Sequence, residues 1–94
     1  LELGGEDRTL TLLFADVRGF AEHAEGLDAQ HLTRFVIDLF SPLSETILRN
    51  NGTIDKFIGD AVMAFWNAPL SDPHHAANAC RAALAMQANI AEMN

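Results

Sequence analysis

The hydrophobic pattern changes period several times along the chain, and each change predicts an element. Thr9–Ala15 reads TLTLLFA. Leu10, Leu12 and Phe14 share one face of an extended segment, and Leu13 and Ala15 supply the other. Apolar residues on both faces predict a central strand covered on most of both sides, ending at Asp16. Gly19–Gly26 is short and polar and suits one or two helical turns. Asp28 is a suitable N-cap for a long helix. Leu32, Phe35, Val36, Leu39, Phe40, Leu43 and Ile47 recur at spacings of three and four, a helical stripe. Pro42 lacks a donor for the helical ladder and is expected to kink it. Asn50-Asn51-Gly52 is a helix stop in which Asn51 or Gly52 takes positive φ. Thr53–Ile58 and Ala61–Trp66 are short strands joined by a tight turn at Gly59-Asp60. Asn67-Ala68-Pro69 ends the second. Asp72 then caps a last helix with Pro73 at its first position. His74 to Asn94 is alanine-rich, with Ala76, Ala79, Cys80, Ala83 and Leu84 as the expected buried stripe. The predicted order is β-α-α-β-β-α, an α+β arrangement without internal repeats.

Composition narrows the possibilities. A chain of 94 residues, 49% apolar and 20% charged, is globular and forms at most one ordinary domain. Six Lys and Arg against 13 Asp and Glu leave a formal charge of −7. That balance argues against a broad basic surface for nucleic acid and against a polybasic contact with anionic lipid. A nucleotide bound to so acidic a chain would need metal cations to offset its phosphates. No apolar run approaches the roughly 20 residues needed to span a bilayer, and no signal peptide is visible. One cysteine, Cys80, forms neither a disulfide framework nor a cysteine metal knuckle. It fits a reducing compartment, hence a cytoplasmic expectation. Residues 1–8 read as a linker or the end of a preceding segment. The chain starts without Met and stops inside an apparently continuing helix, so both ends read as cut.

The element order has a chemical consequence. A strand–helix–strand crossover is right-handed and makes the first two strands parallel. The third strand, inserted between them, runs antiparallel to both. The end of strand one then lies beside the turn joining strands two and three, so Asp16 and Asp60 meet at one sheet edge. Paired carboxylates repel unless a cation or a proton lies between them. Hard oxygen ligands there suit Mg²⁺ or Mn²⁺. Gly19, after Val17 and Arg18, lets backbone N–H groups approach an anion closely, as phosphoryl or nucleotidyl transfer requires.

Each of these residues also has a plainer role. Asp16 suits a helix cap, Asp60 a hairpin-turn aspartate, and Lys56 a solvated lysine sharing a face with Ile54 and Ile58. Arg18 reads as a surface residue rather than a phosphate ligand. His74-His75 reads as a solvated helix start, because adjacent helical residues diverge. Cys80 is expected to pack within its helix stripe. Phe14, Phe57, Phe65 and Trp66 are expected in the core rather than as a base-stacking platform. Asn51-Gly52-Thr53 matches a glycosylation pattern but reads as the helix stop.

Leu13-Phe14-Ala15-Asp16-Val17-Arg18-Gly19-Phe20 resembles the first metal-binding segment of class III adenylate/guanylate cyclases. The stretch from Gly52 to Trp66, with Lys56-Phe57-Ile58-Gly59-Asp60 at its centre, resembles their second. The likeness covers residues 9–94 and implies the N-terminal portion of a ferredoxin-like nucleotide-cyclase fold, with the later strands missing. It implies an adenylate cyclase making cyclic AMP and pyrophosphate from ATP. Asp16, Asp60 and the main-chain carbonyl of Val17 would hold two Mg²⁺ or Mn²⁺ ions, which activate the ribose 3′-hydroxyl and ease pyrophosphate departure. Gly19 and Phe20 would lie against the phosphates, and Lys56 would read the purine and favour ATP over GTP. The family's composite sites imply a head-to-tail homodimer. Cyclase domains are commonly joined to an upstream sensor or membrane module.

The family's second purine-reading residue and its transition-state Asn and Arg lie beyond residue 94. The 94 residues alone are therefore expected to be inactive. Two other outcomes stay open, a guanylate cyclase and a non-catalytic cyclase-like module for nucleotide binding or dimerisation. Diguanylate cyclases fit less well. Their hairpin carries Gly-Gly-[Asp/Glu]-Glu-Phe, and a second Asp stands where this chain has Arg18.

Overall fold

The computed structural model describes residues 7–58 and 60–93. The elements run β1 (Thr11–Asp16), α1 (Phe20–Ala24), α2 (Ala29–Arg49), β2 (Thr53–Ile58), β3 (Ala61–Trp66) and α3 (His75–Met93). The α+β order is the one the pattern predicts, and β2 and β3 have the predicted bounds. Residues 1–6 of the expected linker lie outside the described residues, as does Gly59 of the expected turn.

The sheet order is β1-β3-β2, with β3 antiparallel to both neighbours. Ile58 pairs with Ala61, which closes the hairpin. Both long helices pack against the sheet. Leu39, Phe40, Leu43 and Ile47 of α2 meet Val62, Ala64 and Trp66 of β3 and Ala79, Ala82 and Met86 of α3 in one core. Of the predicted α2 stripe, Phe35 and Val36 are partly buried against that core.

Local chemistry sets the α2 ends. The Asp28 carboxylate accepts from the His31 backbone N–H at 2.8 Å, the expected N-cap. Asn51 takes φ 69° after the helix, and the Gly52 N–H donates to the Ile47 carbonyl at 2.9 Å. At Gly52 any side chain is excluded, because a Cβ would lie 2.7 Å from both the Ile47 methyl and the Trp66 ring. Pro42 stands inside α2, and its carbonyl accepts from the Thr46 hydroxyl at 2.9 Å.

The Asp28 cap carries a pH dependence. The bond from the His31 backbone N–H, and after it the one to its ring, holds the Asp28 carboxyl below the ordinary carboxylate range. A depressed carboxylate contributes stability above its unfolded-chain value and loses it as pH falls through the folded one. Thermal melts from about pH 7 to about pH 2 are expected to show this acid loss in the native protein, and a smaller one in Asp28→Asn, which caps without a charge. Equal acid slopes in the two proteins would remove the cap from the account.

Four expectations are corrected. First, β1 runs Thr11–Asp16 and is an edge strand of the described sheet. Only its Leu13 and Ala15 side faces the core, while Leu12 and Phe14 are 53% and 66% exposed. Both helices lie on the other face, so apolar residues on both faces of β1 do not mean cover on both. Phe14 is thus outside the core. Phe57, opposite buried Val62, is 47% exposed with its ring edge-on to Phe40 at 5.2 Å; Phe65 is half-buried and Trp66 fully buried.

Second, the α3 stripe is rotated. Ala79 is buried as expected, but its partners are Asn78, Ala82 and Met86. Ala76 and Cys80 are exposed, Ala83 is half-buried, and Leu84 is 69% exposed. The packed face carries polar residues whose partners lie on β1, on α2 and in the loop before α3. His75 Nδ1 lies 2.6 Å from the Thr11 hydroxyl, the Asn78 amide donates to Asp72, and the Asn89 amide donates to the Thr46 hydroxyl, the last two at 2.8 Å. Counting apolar residues misses such a face. His75 is accordingly half-buried rather than solvated.

Third, α3 starts at His75, with Pro73 and His74 in the preceding turn. Asp72 holds that turn, its carboxylate accepting from the His74 N–H at 2.9 Å. Fourth, a bulge between Ile54 and Lys56 shifts the register of β2. Ile54 pairs with buried Ala64, but Lys56 pairs with Met63, on the opposite face. Lys56 therefore shares the open face with Ile58 and not with Ile54.

Candidate active site

The corner beyond the end of β1 is built by the strand ladder. Asp16 pairs with Ala61 in the last β1–β3 rung. One residue further, the Val17 N–H donates to the Asp60 carbonyl at 3.0 Å. The hairpin turn is thereby tied to the end of β1, and both aspartates stand at one edge of the sheet. Alternation puts Asp16 on the open face after Leu12 and Phe14, where it is exposed, while Asp60 is half-buried. Among the described residues neither carboxylate makes a hydrogen bond or an ion pair.

Past Val17 the chain turns back. Gly19 adopts φ 74°, a conformation that glycine enters without a Cβ penalty. The His23 N–H closes the turn on the Gly19 carbonyl at 3.0 Å. The Phe20 ring stacks on Phe35 at 5.6 Å and lies 6.1 Å from Phe40, which anchors the loop to α2. Among the described residues the Val17 carbonyl receives only a long bond, from the Phe20 N–H at 3.4 Å, and retains acceptor capacity. A concavity of about 420 Å³ opens here, lined by Asp16, Val17, Arg18, Phe20, His23 and Phe35 and, from the long helices, by Leu39 and Ile90. Arg18 and His23 were not foreseen as part of this wall. Their signal was proximity to Asp16 along the chain, and only the turn at Gly19 brings both to one hollow.

The donor set fits a hard divalent cation. It offers two carboxylates without partners among the described residues, and a backbone carbonyl, all oxygens. Among the described residues no group of three or more His, Cys, Asp or Glu converges. A site with so few protein ligands suits Mg²⁺ or Mn²⁺, which keep waters and take phosphate oxygens, better than a closed structural centre.

Asp16, Val17, Gly19, Phe20 and Asp60 thus come together, and Lys56 does not join them. It sits on β2, separated from β1 by β3, with its Nζ 3.9 Å from the Asp55 carboxylate. No helix among the described residues is long and apolar enough to cross a membrane.

Comparison with known proteins identifies the family. The family model of the adenylate and guanylate cyclase catalytic domain matches residues 5–94. Adenylate cyclase 1 of Rhizobium meliloti is 36% identical over 85 residues, covering 90% of this chain and 13% of that enzyme. The crystal structure of the guanylyl cyclase Cya2 superposes with a TM-score of 0.87 at 33% identity, covering 98% of this chain and 47% of that one. That of the adenylyl cyclase CyaB from P. aeruginosa gives 0.80 at 37% identity, covering 86% and 42%. The chain therefore spans less than half of either solved chain and about an eighth of the Rhizobium enzyme. With the matched segment running through the strand, loop and hairpin that form the carboxylate corner, the chain belongs to the adenylate and guanylate cyclase catalytic domain family.

Proposed function

We propose that the domain to which this chain contributes is an adenylate cyclase, converting ATP to cyclic AMP and pyrophosphate with two Mg²⁺ or Mn²⁺ ions. The observation that carries this reading is the clamp of the Val17 N–H on the Asp60 carbonyl, which sets two unpartnered carboxylates at one sheet edge. Asp16, Asp60 and the Val17 carbonyl hold the ions. Bound there, the ions supply acidification of the ribose 3′-hydroxyl and charge neutralisation at the departing pyrophosphate. Gly19 and Phe20 hold the loop close to the phosphates, with the Phe20–Phe35 stack fixing its position.

Lys56 reads the purine. Its place on β2, with β3 between it and Asp16, supports a head-to-tail homodimer in which one copy supplies the ions and the other the lysine. The apolar open face of the sheet, with Leu12, Phe14 and Ile58 exposed, supports the same assembly. An ATP-consuming domain of this kind belongs on the cytoplasmic side, whatever sensor or membrane module the rest of the protein carries.

The test is product analysis with the full-length protein, ATP or GTP, and Mn²⁺ or Mg²⁺. Cyclic AMP is expected to dominate, and chelation of the metal is expected to stop it. Lys56→Ala is expected to lower the preference for ATP over GTP. The likeness to the guanylyl cyclase Cya2 makes cyclic GMP the competing product, and its dominance would overturn the substrate assignment. Metal-independent turnover, or none with either nucleotide, would overturn the catalytic one.

A further inference from the structure

We propose that Arg18 is a phosphate-contacting residue of this site, binding the terminal phosphates of the nucleotide and the pyrophosphate that leaves. The proposal rests on the cyclase reading for the identity of its ligand, and on three observations for its place.

The first is the pairing of the cations. The chain has six Lys and Arg against 13 acids. Arg34 faces Asp38 at 3.7 Å, Arg49 faces Glu45 at 3.4 Å, and Lys56 faces Asp55 at 3.9 Å. Arg81 donates to the Asn78 side chain, and Arg8 donates to the carbonyls of Asn67 and Pro69. Arg18 alone makes no hydrogen bond or ion pair among the described residues. In so acidic a chain, a guanidinium left without an intramolecular acceptor keeps all its donors for an external anion.

The second is its position. Arg18 lines the same hollow of about 420 Å³ as Asp16, with His23 also in the wall. It is separated from Asp16 only by Val17, whose N–H is fixed on Asp60. The third is the turn. Gly19 at φ 74° reverses the chain immediately after Arg18, and Phe20 is stacked on Phe35. The arginine backbone is therefore held between two anchored residues. An anion in this hollow shares it with a planar donor fork and with the ion-binding carboxylate, the pair of groups that a metal-bound polyphosphate requires.

The test uses the full-length protein and its Arg18→Ala and Arg18→Lys variants. Inorganic tripolyphosphate with Mn²⁺ is the calorimetric probe, and pyrophosphate is tested as an inhibitor of cyclic nucleotide formation. Loss of a charge-assisted contact predicts about tenfold weaker tripolyphosphate binding in Arg18→Ala. The pyrophosphate inhibition constant and the KM for the metal nucleotide are expected to rise comparably. kcat is expected to change less than KM, and Arg18→Lys to recover part of the binding. Tripolyphosphate and pyrophosphate affinities within about twofold of the native protein, in a protein that still cyclises nucleotide, would overturn the proposal and leave the cyclase reading standing. Loss of tripolyphosphate binding in Arg18→Ala of a protein that makes no cyclic nucleotide would support the phosphate contact and overturn the cyclase reading. A native protein that binds no tripolyphosphate would overturn the proposal directly.

Discussion

Asp16→Ala in the full-length protein is expected to lower cyclic nucleotide formation by on the order of a thousandfold or more, with folding intact. Asp60→Ala is expected to do the same. Both carboxylates lie at one sheet edge without a hydrogen bond or ion pair among the described residues, so neither contributes a packed interaction that folding depends on. The contact that shapes the corner runs from the Val17 N–H to the Asp60 carbonyl, and alanine preserves both groups. Melting temperature and oligomeric state are therefore expected to stay near native. Metal binding, measured by Mn²⁺ titration, is expected to weaken strongly. Near-native turnover in Asp16→Ala would remove it from the metal site. A collapse of the melting temperature would make it structural instead.

Trp66→Ala is expected to act in the opposite sense, costing about 3–5 kcal/mol of stability. Trp66 is fully buried at the end of β3. Its indole N–H donates to the Asn50 carbonyl at 2.7 Å, closing the C-terminus of α2. The ring also fills the space that Gly52 leaves by having no side chain. Truncation removes the apolar contacts, opens a cavity beside Ile47 and Leu43, and leaves the Asn50 carbonyl without its donor. Domains of this kind have about 5–15 kcal/mol in total, so the variant is expected to lose a large part of its stability and of its exchange protection. Hydrogen exchange in peptides from α2 and β3 of the full-length protein is the suitable measurement. Trp66→Phe, which keeps most of the volume, is expected to lose much less. Native-like exchange in Trp66→Ala would show that the core does not depend on this ring.

Much of the fold was legible because it rests on local signals. The N-cap at Asp28, the stop at Asn51, the two strands of the hairpin and the stripe of α2 each arise from residues within a turn or two of one another. The placing of the end of β1 beside the hairpin turn was legible too, because the handedness of a crossover leaves few ways to place the hairpin. Where expectation failed, a partner from elsewhere in the chain decided the outcome. The α3 face turned toward His75 and Asn89 because Thr11 and Thr46 were there to bond them. Lys56 moved to the open face because one bulge shifted the pairing, and with a period of two a single-residue slip exchanges the faces.

The order of elements and the two acidic segments were thus determined by the sequence itself, through periodicity, capping and motif. Which side of β1 is covered, which stripe of α3 is buried, where Lys56 faces and which cation is left unpaired were decided only by tertiary structure. Those outcomes depend on how remote groups satisfy one another's hydrogen bonds and fill one another's space, and no window along the chain contains both halves of such a contact.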